Sequence, residues 1–97
     1  NKTSLMASKT YLGHLLAASG SVESIIAILC MKNNLVLDNY NTINPINQKI
    51  NFRFKNGVNA LCQSKTINRI MKNSFAFGGV NSSIIFSNIN WIMKTIK

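Results

Sequence analysis

Leu15-Leu16-Ala17-Ala18-Ser19-Gly20-Ser21-Val22-Glu23-Ser24-Ile25-Ile26-Ala27-Ile28-Leu29-Cys30-Met31-Lys32 is the longest helical pattern in this 97-residue chain. Leu15, Ala18, Val22, Ile25, Ile26 and Leu29 recur at three- and four-residue spacing, the period of one helix face. Ala27, Ile28, Cys30 and Met31 carry apolar surface around most of the circumference. A helix apolar on nearly all sides is enclosed by other layers rather than laid on a surface. A chain of this size buries only roughly 60–65% of its unfolded surface and can hardly surround such a helix. The pattern therefore predicts a piece of a larger fold, or a chain that pairs with another.

Working outward, residues 3–8 read as the end of a strand, and Gly13 as a point of tight backbone geometry. Asn33-Asn34 closes the helix, and residues 39–48 form a polar loop around Pro45, the only proline. Ile50-Asn51-Phe52-Arg53-Phe54 alternates as a half-buried strand does, and Asn56-Gly57 is a turn signal. Residues 59–68 are expected to be an irregular connection. Residues 70–75 and 80–86 read as strands joined by a glycine-containing loop at 76–79, and residues 88–97 as a short amphipathic helix. No internal repeat or linker divides the chain, so one partial α/β domain is expected over residues 1–97.

Composition narrows the classes further. Eleven Lys and Arg against Glu23 and Asp38 give a net charge of +9. Asn, Ile and Lys, all with A+T-rich codons, account for 37 of the 97 residues, so nucleotide bias is one source of that charge. Attraction of an acidic partner is the other reading, and the two are compatible. The basic residues are scattered rather than blocked, and no helix-turn-helix, finger or aromatic-interleaved basic stretch is visible, so nucleic-acid binding is not expected. Cys30 and Cys62 show no metal-type spacing and cannot form a multi-disulfide scaffold. No metal site and no cofactor are expected. The apolar run of residues 25–31 is far short of the about 20 residues a bilayer span needs. No charged-then-apolar leader is visible, and a cytoplasmic setting, or an organelle of bacterial origin, is expected.

Two stretches carry the chemistry: Lys9-Thr10-Tyr11-Leu12-Gly13-His14, running on into the helix, and Asn73-Ser74-Phe75-Ala76-Phe77-Gly78-Gly79-Val80-Asn81. His14 falls where a loop meets the helix start, whose positive dipole end disfavours imidazolium. A neutral imidazole can donate a hydrogen bond to a carbonyl oxygen that is gaining charge, as in an enolate or a tetrahedral intermediate. One such donor is worth roughly 3–4 kcal/mol. Lys9 would add positive charge nearby. The plainer reading is a packed histidine and a solvated lysine. Glu23, in an otherwise apolar helix, needs a surface stripe or an internal partner, and Lys9 and the second stretch are the candidates. Gly78-Gly79 permits unusual backbone angles beside the large Phe77 ring, or is simply a glycine hairpin with a core phenylalanine.

In this order and about 60 residues apart, the two stretches resemble the C-terminal half of the β-ketoacyl-acyl-carrier-protein synthases, elongating type. The match runs through Lys9, Gly13, His14, Leu15, Leu16, Ala18, Gly20, Val22 and Glu23, then Asn73, Ser74, Phe75, Phe77, Gly78, Gly79 and Asn81. Asn41, Asn44-Pro45 and Asn51 fall at matching intermediate positions, so the likeness covers about residues 3–87, with 88–97 a tail. The resemblance implies half of a thiolase-like layered α/β/α/β/α fold, incomplete on its own. It implies decarboxylative Claisen condensation of an acyl thioester with malonyl-acyl carrier protein. His14 would bond the malonyl carbonyl oxygen and Lys9 would orient that chemistry. The Phe77 N–H would form half the oxyanion hole, with its ring as the acyl gate and Gly78 and Gly79 as the hinge. Glu23 and Asn81 would support the site within a buried polar cluster. The implied partners are acyl carrier protein carrying malonyl- or acyl-phosphopantetheine and, for the parent enzyme, a second copy of itself.

The departures are equally specific. The family's nucleophilic cysteine and first histidine belong to segments N-terminal to these residues, and neither Cys30 nor Cys62 matches the nucleophile. Without a nucleophile no acyl-enzyme forms, so the 97-residue piece alone is expected to be inactive. Leu12, Ala17, Ser19, Leu37-Asp38 and Ala76 stand where the family usually has other residues, and Ala76 removes a hinge glycine. The alternative is a catalytically inactive fragment or interaction module that lacks the cysteine half.

Overall fold

The computed structural model describes residues 3–39, 62–64 and 66–96. A single-turn helix α1 (Lys9–Leu12) leads through Gly13 and a 3-10 turn (Leu16–Ala18) into the long helix α2 (Ser19–Asn33). Strand β1 (Leu35–Leu37) follows and pairs antiparallel with β2 (Cys62–Ser64). Strands β3 (Arg69–Phe75) and β4 (Asn81–Ser87) form an antiparallel hairpin around a 3-10 turn (Phe77–Gly79), and helix α3 (Ile89–Ile96) closes the chain.

Local chemistry accounts for the helix ends. Asn34 takes the left-handed conformation (φ 52°, ψ 46°) and donates its N–H back to the Met31 carbonyl at 3.3 Å, a role asparagine tolerates better than branched residues do. At the start of α3, Asn88 Oδ1 accepts the Asn90 N–H at 2.9 Å, an asparagine N-cap. The Arg69 guanidinium lies 4.7 Å from the centre of the Trp91 ring and ties α3 to the base of β3.

Strand alternation sets the hairpin's two faces. Ile70, Lys72 and Ser74 are half-buried toward α2, and Ile70 lies opposite the half-buried Phe86. Met71, Asn73 and Phe75 point the other way and are exposed, beside Ile85, Ser83 and Asn81 of β4. Helix α2 is also divided. Ala27, Cys30 and Met31 are buried with Val36 of β1, whereas Ile25, Ile28 and Leu29 are exposed. Among the described residues the apolar helix is thus buried on one side and exposed on the other.

Several expectations need correction. Residues 3–8 contain no strand; Leu5 and Ala7 are held instead by the buried Asn39 side chain. Its Nδ2 donates to the Leu5 carbonyl at 2.9 Å and its Oδ1 accepts the Ala7 N–H at 2.8 Å. The expected strand is reduced to a single bridge position at Leu5, and the Asn39 side chain supplies the further bonds. The helix expected from residue 15 begins at Ser19, because Leu16 has a positive φ of 51° that an α-helix does not admit. The connection expected at 59–68 includes β2, and β1 was not anticipated. Three-residue strands are too short to show alternation, and their pairing is a tertiary event. The strand expected at 50–54, the Asn56-Gly57 turn and the Pro45 loop lie outside the described residues.

Candidate active site

His14 follows Gly13, whose φ of 68° and ψ of −169° belong to glycine. The ring's Nδ1 accepts the Leu16 N–H at 2.9 Å and lies 3.0 Å from Ser19 Oγ, which itself accepts the Leu15 N–H at 2.8 Å. A main-chain N–H cannot share its line with a second proton, so Nδ1 is unprotonated and Ser19 donates its hydroxyl proton to it. A neutral imidazole then carries its proton on Nε2, the atom free to act as a donor. The expected helix dipole does not reach the ring: α2 begins five residues after His14, beyond its first turn. Leu16 holds its left-handed backbone to aim that N–H, with its side chain 75% exposed.

Of its two candidate partners Glu23 meets Lys9, while its second partner, Lys72, lies one residue before the second stretch. Its Oε1 accepts from Lys9 Nζ in an exposed pair, and its Oε2 lies 3.4 Å from Lys72 Nζ. The Lys72 and Glu23 side chains are only 11% and 10% exposed, against 47% for Lys9. Lys72 Nζ also donates to Ser74 Oγ, within the second stretch. Burial pushes the Glu23 carboxyl up, but Lys9 and then Lys72 outweigh it and hold it below the usual carboxylate range. Lys72 escaped sequence reasoning because it is one lysine among nine in a Lys-rich chain. Its one legible signal is strand alternation, which puts it on the same face as Ile70.

The Phe77–Gly79 turn projects from the end of the hairpin, closed by the Ala76 N–H donating to the Val80 carbonyl at 2.9 Å. The Phe77 ring is fully exposed. Gly78 and Gly79 carry the positive φ values, 82° and 76°. Ala76 is extended (φ −118°, ψ 162°), so its methyl group fits without backbone strain. Asn81 is exposed at the first position of β4, opposite Phe75, whereas Glu23 is sheltered between α1 and β3. Among the described residues, ion pairs and hydrogen bonds join Lys9, Glu23, Lys72 and Ser74. None of these bonds links the His14 ring to the Phe77–Gly79 turn.

The His14 ring, bonded to Leu16 and Ser19, and the Phe77–Gly79 turn are thus separate features, and the ion-paired cluster touches neither through a hydrogen bond among the described residues. Residues 1–42 match the family model of the beta-ketoacyl synthase C-terminal domain. The chain is similar to 3-oxoacyl-[acyl-carrier-protein] synthase 2 of Rhizobium meliloti, at 35% identity over 88% of this chain and 19% of the relative. It is also similar to two Arabidopsis thaliana proteins. The chloroplastic 3-oxoacyl-[acyl-carrier-protein] synthase II is 35% identical over 81% of this chain and 14% of the relative. The mitochondrial synthase is 38% identical over 79% and 16%. The chain is thus similar to these synthases over most of its own length, and it spans less than a fifth of theirs. No solved structure matches it. Among the described residues no helix is long and apolar enough to cross a membrane.

Proposed function

We propose that this chain is the C-terminal portion of a 3-oxoacyl-[acyl-carrier-protein] synthase, an acyltransferase of fatty acid synthesis. The observation that carries this reading is the His14 ring, whose Nδ1 is occupied by the Leu16 N–H so that Nε2 is left to donate. In the reaction, Nε2–H bonds the carbonyl oxygen of a malonyl thioester. The carboxylate leaves as carbon dioxide, and its bonding pair moves onto that oxygen as an enolate. The enolate carbon attacks the carbonyl carbon of an acyl thioester on a cysteine supplied by the N-terminal part of the enzyme. The tetrahedral oxyanion takes a hydrogen bond from the Phe77 N–H, then collapses to expel the cysteine thiolate. Each donor aimed at a developing oxyanion is worth roughly 3–4 kcal/mol. Lys9, paired with Glu23, keeps positive charge beside the malonyl group, while Gly78 and Gly79 let the Phe77 ring swing.

The layered thiolase-like arrangement belongs to the same proposal. Apolar side chains are exposed on the outer face of the hairpin (Met71, Phe75, Ile85) and on the open side of α2 (Ile25, Ile28, Leu29). Large apolar side chains left exposed on two elements call for further layers. Acyl carrier protein and a second subunit are the proposed partners, and the +9 charge suits an acidic carrier. Asn81 would support the site once those layers cover it. The alternative of an inactive binding fragment is not favoured, since the relatives described above are all named as synthases.

The test is His14→Ala in the full-length enzyme. Malonyl decarboxylation is expected to fall at least about a hundredfold, while the cysteine still accepts an acyl group. Decarboxylation at the wild-type rate would remove His14 from the mechanism.

A further inference from the structure

We propose that Lys72 is a positioning residue that fixes the Glu23–Lys9 pair and ties it to the strand leading into the Phe77–Gly79 turn. The inference rests on the synthase reading above and adds a residue to it. If composition alone placed lysines, they would sit in water. Lys9, Lys32 and Lys94 are exposed, whereas Lys72 is turned inward on the face of β3 that meets α2. A sheltered ammonium is unfavourable unless paired and hydrogen-bonded, and Lys72 has both kinds of partner. Its Nζ lies 3.4 Å from Glu23 Oε2 and donates to Ser74 Oγ.

The result is a continuous polar path: Lys9 on α1, Glu23 on α2, Lys72 and Ser74 on β3, with the turn three residues beyond Ser74. Lys9 alone would hold only one carboxylate oxygen, and its own side chain is half-exposed, so that contact by itself fixes geometry weakly. With Lys72 on the second oxygen, the carboxylate plane is set from two sides. Lys9 is thereby held at a defined place beside His14's loop. The groups facing Glu23 are Lys9 from α1 and Lys72 from β3; residues 81–87 of the neighbouring β4 include no titratable side chain.

The experiment uses the full-length enzyme with Lys72→Met, Lys72→Arg, Glu23→Gln and the Lys72→Met/Glu23→Gln pair. Malonyl decarboxylation and a carbon-13 NMR titration of the Glu23 carboxyl, assigned with Glu23→Gln, are the two readouts. Lys72→Met is expected to lower kcat about tenfold with KM within about twofold. It should also raise the Glu23 titration midpoint, and Lys72→Arg should restore both. The double variant should be no slower than Glu23→Gln alone, because Lys72 acts through Glu23. If Lys72→Met does not fold, Lys72→Gln keeps the hydrogen bond to Ser74 and removes the charge. An unmoved midpoint, or additive losses in the double variant, would overturn the proposal. A wild-type enzyme without decarboxylation whose Glu23 midpoint still moves in Lys72→Met would instead sink the synthase reading and leave the clamp standing.

Discussion

His14 Nδ1 accepts the main-chain N–H of Leu16 at 2.9 Å, across a backbone whose φ of 51° at Leu16 is left-handed. The donor is part of the main chain, so no substitution other than proline at Leu16 removes it outright. Ser19 adds a second contact to the same nitrogen, at 3.0 Å.

The first expectation concerns that pair of contacts. In neutral solution nitrogen-15 NMR should find His14 as the Nε2–H tautomer, and Ser19→Ala should leave the tautomer unchanged because Leu16 still donates. Stability should fall by about 1–2 kcal/mol, since the Leu15 N–H loses its acceptor, the hydroxyl of the buried Ser19. An Nδ1–H tautomer in the wild type would contradict the geometry.

Gly13 and Gly78 separate two grades of backbone demand. Both would have room for a methyl group, so any penalty is conformational. Gly13→Ala, at φ 68° and ψ −169°, should destabilise by about 2–3 kcal/mol, because that region is essentially closed to other residues. Gly78→Ala, at φ 82° and ψ 7°, lies nearer the ordinary left-handed well and should lose only about 1–2 kcal/mol. Thermal unfolding of the two variants of the full-length protein gives the order; equal losses would contradict it.

Glu23 gives a signed pH dependence. Its carboxyl is held low in the folded state, so its ion pairs contribute stability above the ordinary carboxylate pKa of about 4.3. That contribution is lost as pH falls through the lower folded value. The wild type should therefore exceed Glu23→Gln in unfolding free energy at pH 7, and the two should converge in strong acid. Urea titrations at a series of pH values measure it, and a gap that widens on acidification would reverse the sign.

The Asn39 side chain bonds two main-chain groups of residues 5–7. Replacing it with Ala removes the acceptor of the Ala7 N–H and the donor to the Leu5 carbonyl, and should cost about 2–3 kcal/mol. Asn39→Asp keeps the acceptor and should recover only part of that loss. Hydrogen exchange at the Ala7 amide reports the same event locally, faster in Asn39→Ala than in Asn39→Asp.

The hairpin strands, α2, the tail helix and the two motifs were legible along the chain because each depends on near neighbours. Spacing of three and four marks a helix, alternation marks a strand, and an asparagine pair or a Gly-Gly step marks where each must stop. Helix α2's all-round apolar surface also announced that the chain alone could not cover it. The short strands β1 and β2 were not legible, and neither was the role of Asn39, because each exists only through a partner tens of residues away. The same holds for the site. His14, Lys9 and Glu23 could be nominated from residue type and position, but the tautomer of His14 depends on a bend at Leu16 that no periodicity encodes. Lys72 became distinct from the other lysines only when packing turned its side of β3 toward Glu23. Local sequence determines which elements form; three-dimensional proximity determines which charges are shielded from water, and so which of them act.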